Sequence, residues 1–231
     1  MTSPLALSSA ATISTCEYGN EKLPLVMVDD ALADLALVRA IAARHDYRPI
    51  GPHYPGIRAA VSRAVAMPLV EPLQPMLQEV FALERPADFD ECFLSVVTKG
   101  PGELAPIQRL PHFDGLERER IAVLLYLDTA PRGGTAFYRQ RATGFEYVDE
   151  SRFAAYESAL REDVARHGLP QAGYIGEGSE LFECSYVIED APGRLAIYRG
   201  NSLHCAALGE GFVPDPDPAT GRLSLNLFLR A

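Results

Sequence analysis

Basic clusters are absent from this chain. No segment concentrates lysine and arginine, and the net charge at neutral pH is −10. Nucleic acids and anionic membranes both call for a cationic face, so neither is expected as a partner. Paired cysteines are missing as well: Cys16, Cys92, Cys184 and Cys205 stand far apart, with no C-x-x-C spacing. Neither a zinc site nor a disulfide framework is suggested, and a reducing compartment follows. No apolar run approaches the ~18 residues of a membrane helix. No basic segment precedes the apolar residues of Met1 to Ala11. The expectation is a cytoplasmic chain whose residues 1–20 are loosely held. No internal repeat is visible, and 231 residues, 48% of them hydrophobic, are enough for one β sandwich or barrel as a single domain.

What is present divides by period. Residues 21–90 read mainly as helical support. Leu23 to Val28 suits a short strand, and Asp29 and Asp30 offer an N-cap to a helix over Ala31–Arg44, with Leu32, Leu35, Val38 and Ile41 as its buried stripe. His45 to Ile57 is a loop rich in Pro, Gly and Tyr, whose His53 and Tyr54 are candidates for a pocket mouth. Leu73, Met76, Leu77, Val80 and Phe81 follow the spacing of one helical face.

From Cys92 onward the period becomes that of strands. Phe93–Thr98, Ala105–Leu110, Ile121–Leu127, Thr135–Arg139, Leu181–Ile188, Arg194–Tyr198, Leu203–His204 and Arg222–Leu229 are the candidates. The run from Ile121 is apolar on both faces, as a strand covered on both sides would be. Ala122, Leu124 and Tyr126 should face one way, and Ile121, Val123, Leu125 and Leu127 the other, onto the N-terminal helices. One helix interrupts the strands over Glu150–His167, capped by Asp149 and ended by Gly168. It suits a lid, a homodimer contact or simple packing.

The chemistry centres on Pro111-His112-Phe113-Asp114. Side chains two residues apart on an extended segment point the same way, so His112 and Asp114 can grip one ion, with Gln108 on the same parity. His204 is the good later candidate for a third ligand. Two histidines and a carboxylate on one side of a metal form the facial triad of non-haem iron(II) sites. On the final strand Leu223, Leu225, Leu227 and Leu229 share one face, and Arg222, Ser224 and Asn226 the other. An inward row of that kind calls for an anion, since burying an unpaired cation is costly.

The order H-x-D, an apolar strand ending Tyr-Leu-Asp, Gly-Gly-x-x-Phe-Tyr, Pro-Gly-Arg-Leu-x-x-Tyr, a distal His and Gly-Arg-x-Ser resembles the iron(II)/2-oxoglutarate-dependent dioxygenases. Within them it resembles the prolyl-hydroxylase-like branch, and a poorly characterised bacterial group there. The resemblance runs from Phe93 to the C-terminus. It implies a mainly β fold with supporting helices, the double-stranded β-helix or jelly roll. It also implies iron(II) on His112, Asp114 and His204, and 2-oxoglutarate on Arg222 with Ser224 and Tyr126. Dioxygen and a small-molecule or peptide substrate would complete the reaction, a hydroxylation. Relatives place the basic residue nearer to the distal histidine, so the excursion Pro214-Asp215-Pro216-Asp217-Pro218 should loop out between neighbouring strands. Two rivals stay open: a cupin-like metal-binding barrel without 2-oxoglutarate, and a non-catalytic jelly-roll binding module.

Overall fold

The computed structural model describes residues 3–209 and 211–231. Among the described residues, ten strands make two antiparallel sheets. They are β1 (Thr12–Tyr18), β2 (Leu23–Asp29), β3 (Gly56–Ala60), β4 (Asp88–Val97), β5 (Arg120–Tyr126), β6 (Gly134–Gln140), β7 (Phe182–Ile188), β8 (Leu195–Arg199), β9 (His204–Ala207) and β10 (Leu223–Arg230). The larger sheet runs β1-β2-β8-β5-β10-β4-β3 and the smaller one β7-β6-β9. Four α-helices accompany them: α1 (Leu35–Ala42), α2 (Arg63–Ala66), α3 (Gln74–Val80) and α4 (Glu150–His167). No helix among them is long and apolar enough to cross a membrane.

The sheets divide the apolar residues by parity. Every residue of β5 is buried. Ile121, Val123 and Leu125 join Leu69, Leu73, Leu77 and Phe81 in the core under the helices. Ala122, Leu124 and Tyr126 enter the space between the sheets, with Phe137 and Tyr198. The paired strand β10 repeats the division, its leucines at 223, 225, 227 and 229 lying in the helix-side core. Complete burial of each such leucine is worth about 1.5–3 kcal/mol, so the register of these two central strands is strongly specified.

Local sequence logic accounts for α4. The Asp149 side chain accepts from the Arg152 amide at 3.1 Å, and Gly168, at φ +78°, ends the helix with its N–H on the Val164 carbonyl. Elsewhere three expectations need correcting. Residues 12–18 are not a loose lead-in but β1, paired along its length with β2. It is an edge strand whose side chains are mostly exposed, so it lacks the apolar alternation that marks a half-buried strand. The helix expected from Ala31 starts only at Leu35, because Asp34 is the residue whose side chain caps it, at 2.8 Å from the Leu37 amide. Ile41 consequently points outward. The strand expected over 105–110 is a 3-10 turn at Pro106–Arg109, where Gln108 folds back to accept from the Ala105 amide at 3.0 Å.

Glu146 pins the β1–β2 hairpin to the rest of the molecule. Its buried carboxylate accepts from the Asn20 and Glu21 amides at 3.0 and 2.8 Å. Gly19, at φ +71°, makes room for it, since a Cβ there would lie 2.2 Å from the carboxylate. Removing the carboxylate leaves two partly buried donors without their acceptor, at a cost of about 1 kcal/mol or more. We therefore expect Glu146→Ala to lower the unfolding free energy by about 1–2 kcal/mol in a urea titration, with Glu146→Gln retaining part of it.

Candidate metal centre

His112 and His204 are brought together by backbone. The two residues exchange N–H···O bonds of 2.9 and 2.8 Å, an isolated antiparallel bridge that joins the segment before β5 to the start of β9. Two residues on, the Asp114 amide donates to the Gly200 carbonyl at 2.7 Å. His112 Nε2 then lies 3.8 Å from Asp114 Oδ1, and His204 Nε2 lies 3.5 Å from Asp114 Oδ2. One ligand atom from each residue falls within 4.8 Å of the others.

The protonation pattern suits a cation. His204 donates from Nδ1 to the Ser202 carbonyl at 2.9 Å, which leaves the Nε2 lone pair turned towards Asp114. Asp114 Oδ2 is buried with no hydrogen-bond partner among the described residues. An orphaned carboxylate oxygen between two imidazoles is costly unless something positive completes it. His112 keeps 54% of its side chain accessible, but that face lies on a recessed cavity wall where hydration is already reduced. Lost hydration, then the neighbouring His204 and Arg58, push His112 well below the usual imidazole range and favour the neutral, ligating form. Burial raises Asp114, against the opposing pull of His204 and Arg120. The donor set fits a divalent transition metal with imidazole and carboxylate ligands.

The triad opens into a cavity of about 700 Å³ between the sheets. Arg222 lines it, only 5% exposed. Its Nε and Nη2 donate to the Gly133 carbonyl at 3.1 and 2.8 Å, and Nη2 also to Gly134 at 3.2 Å. Both glycines are required sterically: a Cβ at Gly134 would meet the Ile188 carbonyl at 1.7 Å, and one at Gly133 the Ala207 carbonyl at 2.4 Å. One edge of the guanidinium is thus fixed to backbone. Nη1 makes no hydrogen bond among the described residues, so the other edge remains for a carboxylate. Ser224 also lines the cavity, accepting from Asn226 at 3.3 Å. The Tyr126 hydroxyl is bonded to Thr135 Oγ1 at 2.8 Å, and Thr135, not Tyr126, stands on the cavity wall. Burial pushes Tyr126 up to about 12.

Other expected contributors separate. His53 and Tyr54 line the cavity, as does Gln108, whose amide nitrogen is bonded to the Pro52 carbonyl at 2.9 Å. α4 forms a wall through Phe153, Tyr156 and Leu160, with Phe113 packed edge-on against the first two. His45 and His167 lie outside it, exposed. The Pro-Asp excursion is a correction: β9 and β10 belong to different sheets, so the excursion crosses between sheets rather than looping out between neighbours.

Sequence reasoning missed the clamp that ends this crossing. Arg39 on α1 pairs with Asp128 at 2.9 Å and donates to the carbonyls of Leu127, Ala219 and Gly221. Asp128 in turn accepts from the Leu223 amide at 3.0 Å. Arg39 therefore fixes the residue just before Arg222. No local pattern could signal it, because every partner is distant in sequence.

The mostly β architecture, two antiparallel sheets with helices against one of them, is a fold shared with solved 2-oxoglutarate/iron(II) oxygenases. The chain is similar to EctD from S. alaskensis with bound Fe, at 15% identity and a TM-score of 0.50, over 97% of this chain and 85% of that one. It is likewise similar to SnoK, a non-heme alpha-ketoglutarate-dependent carbocyclase from nogalamycin biosynthesis, at 12% identity and 0.50, over 91% and 81%. A likeness to an oxidoreductase of the 2OG-Fe(II) oxygenase family from Burkholderia pseudomallei has 14% identity and a TM-score of 0.47, over 89% and 84%. At the level of sequence, the chain belongs to DUF6445, a family of unknown function, which matches residues 9–229. No curated protein matches it.

Two outcomes follow for the centre and its clamp. Manganese(II) binding, followed by electron paramagnetic resonance, should weaken at least about 100-fold in Asp114→Ala, which removes the only anionic ligand. Arg39→Met leaves Asp128 buried without its counterion, and should cost about 3–5 kcal/mol in chemical denaturation.

Proposed function

We propose that this chain is an iron(II)- and 2-oxoglutarate-dependent oxygenase of the prolyl-hydroxylase-like kind, which hydroxylates a C–H bond of a small molecule, amino acid or peptide side chain. The observation that carries this reading is the meeting, in one cavity, of a His-Asp-His triad with an orphaned carboxylate oxygen and a guanidinium tethered along one edge only. His112, Asp114 and His204 would hold the iron, and Arg222 with Ser224 would receive the far carboxylate of 2-oxoglutarate. When bound, the metal would supply the redox chemistry by which dioxygen oxidises both 2-oxoglutarate, to succinate and carbon dioxide, and the substrate C–H bond.

The chain's own task is positioning. His204 is held as the Nε2-ligating tautomer by its bond to Ser202. Arg222 is planar and anchored before any ligand arrives, so little side-chain entropy is lost when a carboxylate docks. Tyr126 supports this end through Thr135 and, kept protonated by burial, adds no competing negative charge. Apolar residues on α4 and Phe113 form an apolar wall of the cavity for the body of the substrate. The free thiols of Cys16, Cys92, Cys184 and Cys205 suit a reducing, cytoplasmic setting.

The test is anaerobic. Mixing the native chain with iron(II) and 2-oxoglutarate should produce a visible charge-transfer band, and admission of air should release succinate. His112→Ala should abolish the band. Arg222→Met should raise the 2-oxoglutarate concentration needed for it at least about 10-fold, the loss of one charge-assisted carboxylate pair. A colourless native mixture that releases no succinate overturns the reading.

A further inference from the structure

One guanidinium in the cavity has no counterpart in the chemistry above. Arg58 lies on β3 and lines the same cavity as the triad. Its Cζ sits 4.2 Å from the centroid of the Tyr54 ring and 5.2 Å from that of Phe93. Among the described residues its side chain makes no hydrogen bond and no ion pair, and its Nε is fully buried without a partner. Tyr54 Oη, from the ring it stacks on, is likewise buried, close to the Ser95 hydroxyl.

Comparison with the four buried arginines sets this half-buried one apart. Arg39 has Asp128 and three carbonyls, Arg120 has Asp90 and Glu91, Arg199 has the carbonyls of Arg118 and Phe81, and Arg222 has those of Gly133 and Gly134. Arg58 instead meets aromatic faces, with the Asp114 and Glu91 carboxylates near enough to favour its charge but neither within ion-pair distance. A cation–π contact offsets only part of what a guanidinium loses on partial withdrawal from water without an acceptor. Burial accordingly disfavours its charged form.

Its place separates it from the cosubstrate end. Arg58 pairs with Ser95, Ser95 with Ser224, and Ser224 with Tyr126, one row across four strands. Two strand spacings, roughly 10 Å, therefore lie between Arg58 and Ser224. The same cavity is lined by the apolar side chains of Leu110, Phe113, Phe153 and Leu160. Phe153 remains 38% exposed, uncovered by protein.

We infer that Arg58, with the Tyr54 hydroxyl beside it, anchors a carboxylate of the substrate, so that the cavity takes small organic acids whose body is apolar. The inference rests on the oxygenase reading for calling this acid the substrate. The anion site itself stands on the geometry of Arg58. Two parallel N–H donors suit a carboxylate, and the body would then reach over His112 and Asp114.

Calorimetry on the nickel(II)-loaded chain with 2-oxoglutarate tests it, using phenylacetate, 3-phenylpropanoate, 4-phenylbutanoate and 5-phenylpentanoate against their primary amides. At least one acid should bind 10-fold or more tightly than its amide. That preference should vanish in Arg58→Met, while 2-oxoglutarate affinity stays within a factor of two of the native value. Arg222→Met should show the converse, weak 2-oxoglutarate binding with the acid preference retained. Should Arg58→Met fail to fold, Arg58→Lys, which keeps the charge but not the fork, should reduce the preference without removing it. No acid outbinding its amide, a preference surviving in Arg58→Met, or 2-oxoglutarate affinity falling with Arg58 overturns the inference. If 2-oxoglutarate does not bind the native chain, the oxygenase reading fails separately, and the acid and amide series without it still decides whether Arg58 holds an anion.

Discussion

The reciprocal pair of backbone bonds between His112 and His204 is the constraint on which the site depends. Side chains on flexible stems cannot by themselves define a metal position, but a two-bond bridge sets the separation and relative direction of both Cβ atoms. Asp114 inherits its place from the same segment, through its amide on Gly200. The triad is therefore a by-product of β pairing, and the polar side chains need only complete what the backbone has already aimed.

Around that bridge the interior is organised by how each charge is compensated. Arg39 and Asp128 neutralise one another beneath the end of β5 and hold the entry to β10. Arg222, one residue later, meets only carbonyls, which orient it without cancelling its charge. Arg58 meets neither. Three arginines thus grade from structural to receptive, and the two receptive ones line the cavity that also holds the triad.

Much of this was legible in the order of residues, and for local reasons. The parity of Ile121 to Leu127 and of Leu223 to Leu229 announces central strands because a period of two admits only one assignment of faces. Asp149 and Gly168 mark the limits of α4 because caps act within a turn. His112, Asp114, His204 and Arg222 could be assembled through resemblance and spacing. What escaped shares a different character. β1 is an exposed edge with no apolar rhythm, β3 is five residues opening on Gly56, and Arg39 and Arg58 acquire meaning only from neighbours remote along the chain. Pro106 and Gln108 overrode strand propensity by a short-range cap that composition alone does not reveal.

β9 has a consequence for the apo and loaded forms. It is four residues long and borders the smaller sheet, with β6 on one flank and, among the described residues, the single bridge to His112 on the other. An ion gripped by His112, Asp114 and His204 would act there as a rivet through the seam of the sandwich, converting binding energy into resistance to opening. Hydrogen exchange at the amides of His112 and His204 would then slow far more on loading than exchange in the leucine-packed β10, and metal supply would govern the lifetime of the closed seam as well as its chemistry.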